Sequence, residues 1–342
     1  MENESGSSKK KILITGGSGF IGTNLVESYV LRGDHVLNID IAPPRNAVHK
    51  RFWCKVDLMD IVALEKAVRK FDPDYIYHMA ARTDLDGKNL ESYAANTDGV
   101  SNVINSIRGL ISLKRIIFAS SRLVCKIDYH PKDEFDYCPT TNYGESKVTG
   151  ENIVRESKAI PCPWVIVRPT SIWGPWFDIP YKTFFLSIAR NHYVHPGKQD
   201  IYKSFGYVEN SVYELQKLMS APADKVNGKT FFLEDYPPIN VREMATFIQE
   251  TMGSKTIKTA PLAALKVAAL VGDMLKLTGW KNPPLTSFRL SNLLTEMVYE
   301  SVALEAIVGK LPYSMKGGVI KTVEWMCTQG EIRKLAACQN KE

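Results

Sequence analysis

The chain has 342 residues, 23 % charged and 44 % apolar, with a net charge of +6. That length fits one two-lobed domain or two domains, and the composition excludes a disordered or fibrous chain. Lys9, Lys10 and Lys11 equal half of the net charge, and no basic stripe with interleaved aromatics is present, so nucleic acid is not an expected partner.

The six cysteines, Cys54, Cys125, Cys138, Cys162, Cys327 and Cys338, include no CxxC pair. With histidine scarce as well, no metal site is expected. Met1 to Ser8 reads as a loose tail, part of a flexible stretch over residues 1–10. No apolar signal core precedes Ile12, so a reducing cytosol and free thiols are expected.

Ile12 to Ile14 is a short apolar run without polar alternation, the pattern of a strand buried on both faces. Thr15 opens a turn containing Gly16, Gly19 and Gly22. Phe20, Ile21, Leu25, Val26, Tyr29 and Val30 then recur at helical spacing. Strand, glycine turn and helix follow in the order that cradles a pyrophosphate. Gly16 permits the tight turn, Gly19 the close approach of backbone, and Gly22 the packing of helix on sheet. The helix start offers N–H groups to an anion. A second apolar run, His35 to Ile39, ends in Asp40. That carboxylate lies about 20 residues past the glycines, where a ribose 2′-hydroxyl is met.

Pro43-Pro44 marks a loop, and Phe52 to Val56 is the third strand. Asp57-Leu58 closes it. The acid there suits either the adenine of a dinucleotide or the N-cap of the helix Ile61 to Phe71. Tyr75 to Met79 is the next strand, with His78 as a packing histidine. Ala80, Ala81, Arg82 and Thr83 follow, small residues first. The helix Leu90 to Gly109 carries Asn96, a buried amide that needs a polar partner. Arg115 to Ala119 is a strand ending in Ser120-Ser121. Tyr143 to Lys158 is a helix capped by Thr141 or Asn142, and Trp164 to Val167 a further strand. Strands alternating with helices give a doubly wound parallel α/β sheet, a Rossmann fold, whose ligands sit at the carboxyl ends of the strands.

The second half is less regular. Trp173 to Trp176 forms an aromatic loop. Helices are expected at Phe184 to Arg190, Val241 to Met252 and Val319 to Met326. Pro261 to Leu277 is an apolar helix with Lys266, Asp273 and Lys276, too charged and too short for a bilayer span. It is expected as a packed amphipathic helix, and membrane contact is not expected. The expected division is a dinucleotide-binding domain over 1–170 and a smaller, mixed α/β substrate lobe over 171–342. Residues 205–220 return to the first domain.

Tyr143 and Lys147 lie four residues apart, on one face of their helix. A phenol titrates near pH 10 unaided. A nearby ammonium and a positive nicotinamide ring favour the phenolate, so its pKa is expected to fall towards working pH. Ser121 can hydrogen-bond the same substrate oxygen. Together they can deprotonate a secondary alcohol while a bound dinucleotide accepts two electrons. A second pair of the same spacing, Tyr213 and Lys217, lacks a neighbouring strand-end serine and is expected as helix surface. Cys125 reads as a packing residue rather than a reactive thiol.

In this order, the glycine pattern, Asp40, His78-Met79-Ala80-Ala81, Asn96-Thr97, Ser120-Ser121, Tyr143-x-x-x-Lys147 and Arg168-Pro169-x-x-x-Trp173-Gly174-Pro175 resemble extended short-chain dehydrogenases/reductases. More narrowly, they resemble the NAD-dependent epimerase/dehydratase family acting on nucleotide sugars. The resemblance implies bound NAD, transient oxidation of a sugar hydroxyl to a keto intermediate, and a homodimer through the helices Leu90–Gly109 and Tyr143–Lys158. It implies cofactor contacts at Gly16, Ser18, Gly19, Phe20, Ile21, Gly22, Asp40, Asp57, Leu58, Ala80, Ala81, Asn96, Tyr143 and Lys147. Ser121, Tyr143 and Lys147 would be catalytic, and Thr83, Ser171 and Lys203 would face the substrate.

Two departures matter. Sugar 4,6-dehydratases carry an Asp-Glu pair after the catalytic hydroxyl residue, and this chain has Arg122-Leu123, which counts against dehydration. Many relatives have Val-Tyr-Gly where this chain has Val124-Cys125-Lys126. Two other readings stay open: a 3β-hydroxysteroid-type dehydrogenase, whose relatives also carry a late apolar helix, and a dinucleotide sensor without turnover.

Overall fold

A computed structural model describes residues 9–280, 283 and 285–332. The tail Met1 to Ser8 and Cys338 lie outside the described residues. The chain divides into two units. The first holds residues 9–172, Val208–Glu234 and Glu300–Pro312, and the second holds 173–207, Asp235–Tyr299 and 313–332.

The first unit is built on β1 (Lys11–Thr15), β2 (His35–Asp40), β3 (Trp53–Lys55), β4 (Tyr75–His78), β5 (Arg115–Ala119) and β6 (Trp164–Pro169). A seventh strand, Lys229–Leu233, adds to the free edge of β6. The spatial order is seventh, β6, β5, β4, β1, β2, β3, and every pairing is parallel. Sequence order reverses between β1 and β4, which makes the crevice past their carboxyl ends the expected ligand site. Helices α1 (Phe20–Leu31), α2 (Ile61–Phe71), α3 (Ala94–Ser106) and α4 (Asn142–Glu156) supply the crossovers.

The apolar runs without alternation are strands covered on both faces. Ile12, Leu13, Ile14, Ile76, Tyr77, Ile116, Ile117, Val165 and Val167 are all buried. Each such aliphatic side chain stabilises the fold by about 1.5–3 kcal/mol relative to exposure. Asp60, not Asp57, caps α2 by accepting from the Ala63 N–H at 3.0 Å. Asp57 accepts instead from the Met59 N–H at 2.9 Å, because the chain makes one more turn before the helix starts. Thr141 caps α4 through the Gly144 N–H at 3.0 Å.

The seventh strand was not legible as an element. Lys229–Leu233 is a five-residue run at an edge, alternately exposed and buried, and it follows a stretch that breaks the strand–helix rhythm.

In the second unit the aromatic loop is a core. Trp173 stacks on Phe185 at 5.8 Å and meets Tyr207 at 5.1 Å, while Phe177 packs edge-on to Phe185 at 5.3 Å. The helix Val241–Met252 is capped by Asn240, which accepts from the N–H groups of Arg242 and Glu243. It ends at Gly253 in the left-handed conformation, φ 61°, where a β-carbon would be strained.

The helix Leu262–Leu277 departs from expectation. Its buried positions are small, Ala269 and Gly272, while Val267, Leu270, Val271, Met274 and Leu277 are exposed. A packed amphipathic helix turns its large apolar residues inward; this one keeps Leu262, Leu265 and Leu275 half-buried and turns the other five outward. Gly272 is the reason for the inward choice: a β-carbon there would lie 1.7 Å from the Leu285 carbonyl oxygen. Among the described residues no helix is long and apolar enough to cross a membrane.

Candidate active site

The glycine turn sits where β1 and β4 part. Gly16 has φ 73°, and a β-carbon on it would meet the Ala80 backbone nitrogen at 2.5 Å. A β-carbon on Gly22 would fall 2.0 Å from the Gly16 carbonyl oxygen. These two positions admit only glycine. Gly19 is the N-cap of α1 and places no side chain over the helix start, so the positive end of the helix faces the turn.

Asp40 at the end of β2 accepts from the Ser18 N–H through Oδ2 and from the Ala42 N–H through Oδ1, both at 3.0 Å. Each oxygen keeps acceptor capacity for a ribose hydroxyl. Ser18 Oγ donates to the Ala42 carbonyl at 2.8 Å and accepts from Asn38 Nδ2 at 3.1 Å, so its side chain locks the turn rather than reaching out of it. Past the ends of β2 and β3 opens a cleft of about 580 Å³ lined by Ile41, Ala42, Lys55, Val56, Asp57 and Asp60. Leu58 is buried in the core beneath it, and its carbonyl accepts from Asn102 Nδ2 at 2.9 Å.

Ser121 and Tyr143 meet between the end of β5 and the first turn of α4. Ser121 Oγ accepts from the Leu123 N–H at 3.1 Å, which leaves its hydroxyl proton uncommitted, and it lies close enough to the Tyr143 phenol to pull its pKa down. Gly144 makes this possible, because a β-carbon there would sit 2.3 Å from the Leu123 carbonyl oxygen. Tyr143 is buried, and its ring lies 6.0 Å from that of Tyr93.

The expected depression of the phenol is not found. Burial pushes the Tyr143 phenol up, the Ser121 hydrogen bond pulls it down, and Arg122 is the cation that adds to that pull. Lys147 is not among the groups that move it; its Nζ donates to the Ala119 carbonyl at 2.9 Å. Burial lowers Lys147 itself to about 8, opposed by Glu151.

Glu151 lies one turn past Lys147. It receives Arg168 through two bonds, Nε to Oε1 at 2.9 Å and Nη2 to Oε2 at 2.8 Å, and the Tyr137 hydroxyl at 2.8 Å. This buried pair fixes α4 on β6. It explains the Arg168-Pro169 step in the sequence, a role that spacing alone does not reveal.

Asn96 acts as a clamp. Its Oδ1 accepts from the Arg82 N–H at 2.8 Å, and Nδ2 donates to the Arg82 carbonyl and to Ser146 Oγ. All three groups of the amide are engaged, so it ties the loop after β4 to α4. His78 is a core residue as expected: Nδ1 lies 2.8 Å from Thr15 Oγ1, and burial lowers its pKa to about 3. Cys125 is buried, its thiol pushed up by burial, which suits packing and not reactivity.

Of the substrate candidates, Thr83 is exposed in the loop after β4 and Ser171 is buried in the short strand Ser171–Trp173. Lys203 lies in the second unit, 5 % exposed, with Nζ donating to the Asn292 carbonyl at 2.5 Å. One of its three donors is thus engaged within its own unit. Tyr213 and Lys217 are half-buried on the helix Val208–Ser220, with the ammonium 5.1 Å over the ring. No strand-end serine accompanies them.

The residues present fit a dinucleotide. The turn is closed to any side chain at Gly16 and Gly22, Asp40 can take a ribose, and the cleft beyond it offers room for the adenosine end. Comparison with known proteins agrees. A 3β-hydroxysteroid dehydrogenase/Δ5→4-isomerase of Mycobacterium tuberculosis is 27 % identical over 72 % of this chain and 70 % of that protein. An N-acetyl-α-D-glucosaminyl-diphospho-ditrans,octacis-undecaprenol 4-epimerase of Escherichia coli O157:H7 is 26 % identical over 92 % of this chain and 94 % of that protein. The crystal structure of the Bordetella bronchiseptica enzyme WbmG in complex with NAD and UDP shares the fold, with a TM-score of 0.71 at 22 % identity over 95 % of this chain and 97 % of that one. The family model for the NAD dependent epimerase/dehydratase family matches residues 12–231, and the chain belongs to that family as an NAD-dependent enzyme of the extended short-chain dehydrogenase/reductase type.

Proposed function

We propose that the protein epimerises a secondary hydroxyl of a diphosphate-linked sugar, nucleotide sugars first among them, through a keto intermediate. The observation that carries this reading is the Ser121–Tyr143 pair. A serine hydroxyl that accepts from a backbone N–H lies beside a buried phenol and pulls its pKa down, at the carboxyl end of a strand beside the dinucleotide cradle.

Gly16, Gly19, Gly22 and Asp40 would hold the dinucleotide, with Asp57 at the adenosine end. Bound NAD supplies the two-electron acceptor and, while oxidised, a positive ring near the phenol. Tyr143 takes the proton of the substrate hydroxyl at its phenol oxygen and returns it. Ser121, with its single hydroxyl proton, would donate to the phenolate before the transfer and to the keto oxygen once Tyr143 is protonated. Arg122 supplies positive charge that offsets the cost of burying that phenolate, and Lys147, on the same helix face as Tyr143, would hold a ribose hydroxyl of the dinucleotide. Asn96 holds the loop and α4 in register. Thr83 and Ser171 are the proposed sugar-side contacts. No carboxylate follows Ser121, so nothing in this turn serves the water elimination of a dehydratase.

A sugar on a diphosphate is supported by the Escherichia coli relative, which matches nearly the whole chain, and by the fold neighbour holding UDP. A sterol alcohol is the second reading, supported by the Mycobacterium tuberculosis relative. A thermal-shift screen separates them. Saturating UDP or UDP-glucose should raise the melting temperature, since a ligand at a hundred times its Kd stabilises by about 2.7 kcal/mol. A rise with 3β-hydroxysterols and none with UDP would replace the first reading by the second.

A further inference from the structure

We propose that the outward face of the helix Leu262–Leu277 seats this protein on an anionic lipid surface. Val267, Leu270, Val271, Met274 and Leu277 recur at steps of three and four residues, so they share one face. Each of them, with Trp280 just past the helix, is at least 50 % exposed. The opposite face is held down. Ala269 and Gly272 are buried, Gly272 lies against the Leu285 backbone, and Asp273 accepts from the Ser287 N–H at 3.2 Å. The helix is therefore anchored through Ala269, Gly272 and Asp273, with Leu262 and Leu265 half-buried on the same side, and shows five large apolar residues to the outside.

Charge says what covers that face. Between residues 253 and 295 the sequence carries Lys255, Lys258, Lys266, Lys276, Lys281 and Arg289 against the single acid Asp273. This stretch has a net charge of +5 in a chain whose total is +6. An apolar stripe on a cationic stretch of chain, with Lys266 one turn before Leu270 and a tryptophan past the helix end, matches the depth profile of an interface: chains below, anionic headgroups above, indole at the boundary. The helix has 16 residues, about 24 Å at 1.5 Å per residue, shorter than a hydrocarbon core of about 30 Å. It lies on the surface and does not cross it. This inference is independent of the substrate proposed above, and it replaces the expectation that membrane contact is absent.

The test is vesicle flotation of the full chain. The wild type should float with vesicles of phosphatidylcholine and phosphatidylglycerol, weakly with phosphatidylcholine alone, and less as salt is raised. The double variant Leu270→Gln with Met274→Gln, and separately Lys266→Gln with Lys276→Gln, should each lower the bound fraction at least about tenfold. NAD binding and melting temperature should be unchanged, since all four side chains are exposed. Wild-type protein remaining in solution with anionic vesicles would overturn the proposal, as would flotation of the Leu270/Met274 variant at the wild-type level. Loss of a dimer in that variant by size exclusion, without wild-type flotation, would assign the face to a second copy instead.

Discussion

Lys147 donates from Nζ to the carbonyl oxygen of Ala119 at 2.9 Å, and this bond ties the catalytic helix to the strand that presents Ser121. The ammonium is buried, so its pKa falls to about 8, and only Glu151 one turn away resists the fall. Lys147 therefore changes charge close to neutral pH, in a site whose phenol needs a nearby cation.

Replacing Glu151 with Gln should act on both stability and pH profile. Arg168 would lose its buried partner, and breaking such a pair costs about 3–5 kcal/mol. Denaturant unfolding reads that loss. Where the protein stays folded, the sign for Lys147 is fixed: removing an anion favours the neutral amine, so its pKa drops below about 8. The high-pH limb of kcat/KM should shift to lower pH. A variant with wild-type stability and an unmoved limb would show that Glu151 does not support Lys147.

His78 makes an acid-side prediction. Its pKa is about 3 when folded, against an ordinary 6.5. The folded state then binds fewer protons than the unfolded chain across that window. Its stabilising contribution is complete above 6.5 and is lost as pH falls towards 3, by up to about 1.4 kcal/mol per pH unit. His78→Asn should flatten the decline of unfolding free energy between pH 6 and 4 by about that slope. An unchanged slope would mean that other groups carry the acid sensitivity.

Much of the first unit was readable before any coordinates. Unalternating runs such as Ile12–Ile14 announce strands covered on both faces, and the glycine spacing is a steric requirement that Gly16 and Gly22 display directly. What escaped depends on partners distant in sequence. Lys147 also donates to the Ala119 carbonyl, 28 residues away. The Asn96 amide binds Arg82 and Ser146. Lys203 donates to the Asn292 carbonyl. The late helix has the right period and gives no sign of which side faces in, because Gly272 settles that through one contact with Leu285.

Asp40 should set cofactor choice. A carboxylate that meets the ribose repels a 2′-phosphate, so NAD should bind at least about tenfold more tightly than NADP, a difference of about 1.4 kcal/mol. Asp40→Asn should narrow the ratio. Titration of the ligand-free protein with each dinucleotide checks it. A preference for NADP would shift attention to Arg45 as a phosphate partner.

The central claim is that Tyr143, beside Ser121, moves the proton of a sugar hydroxyl. The most direct measurement is NMR of the C4 configuration after the NAD-loaded protein is incubated with UDP-glucose and UDP-N-acetylglucosamine. The account predicts epimer formation by the wild type on at least one of them, and a loss of about 10²–10⁴-fold in Tyr143→Phe, with NAD still bound. Epimer formation by Tyr143→Phe at the wild-type rate would contradict it.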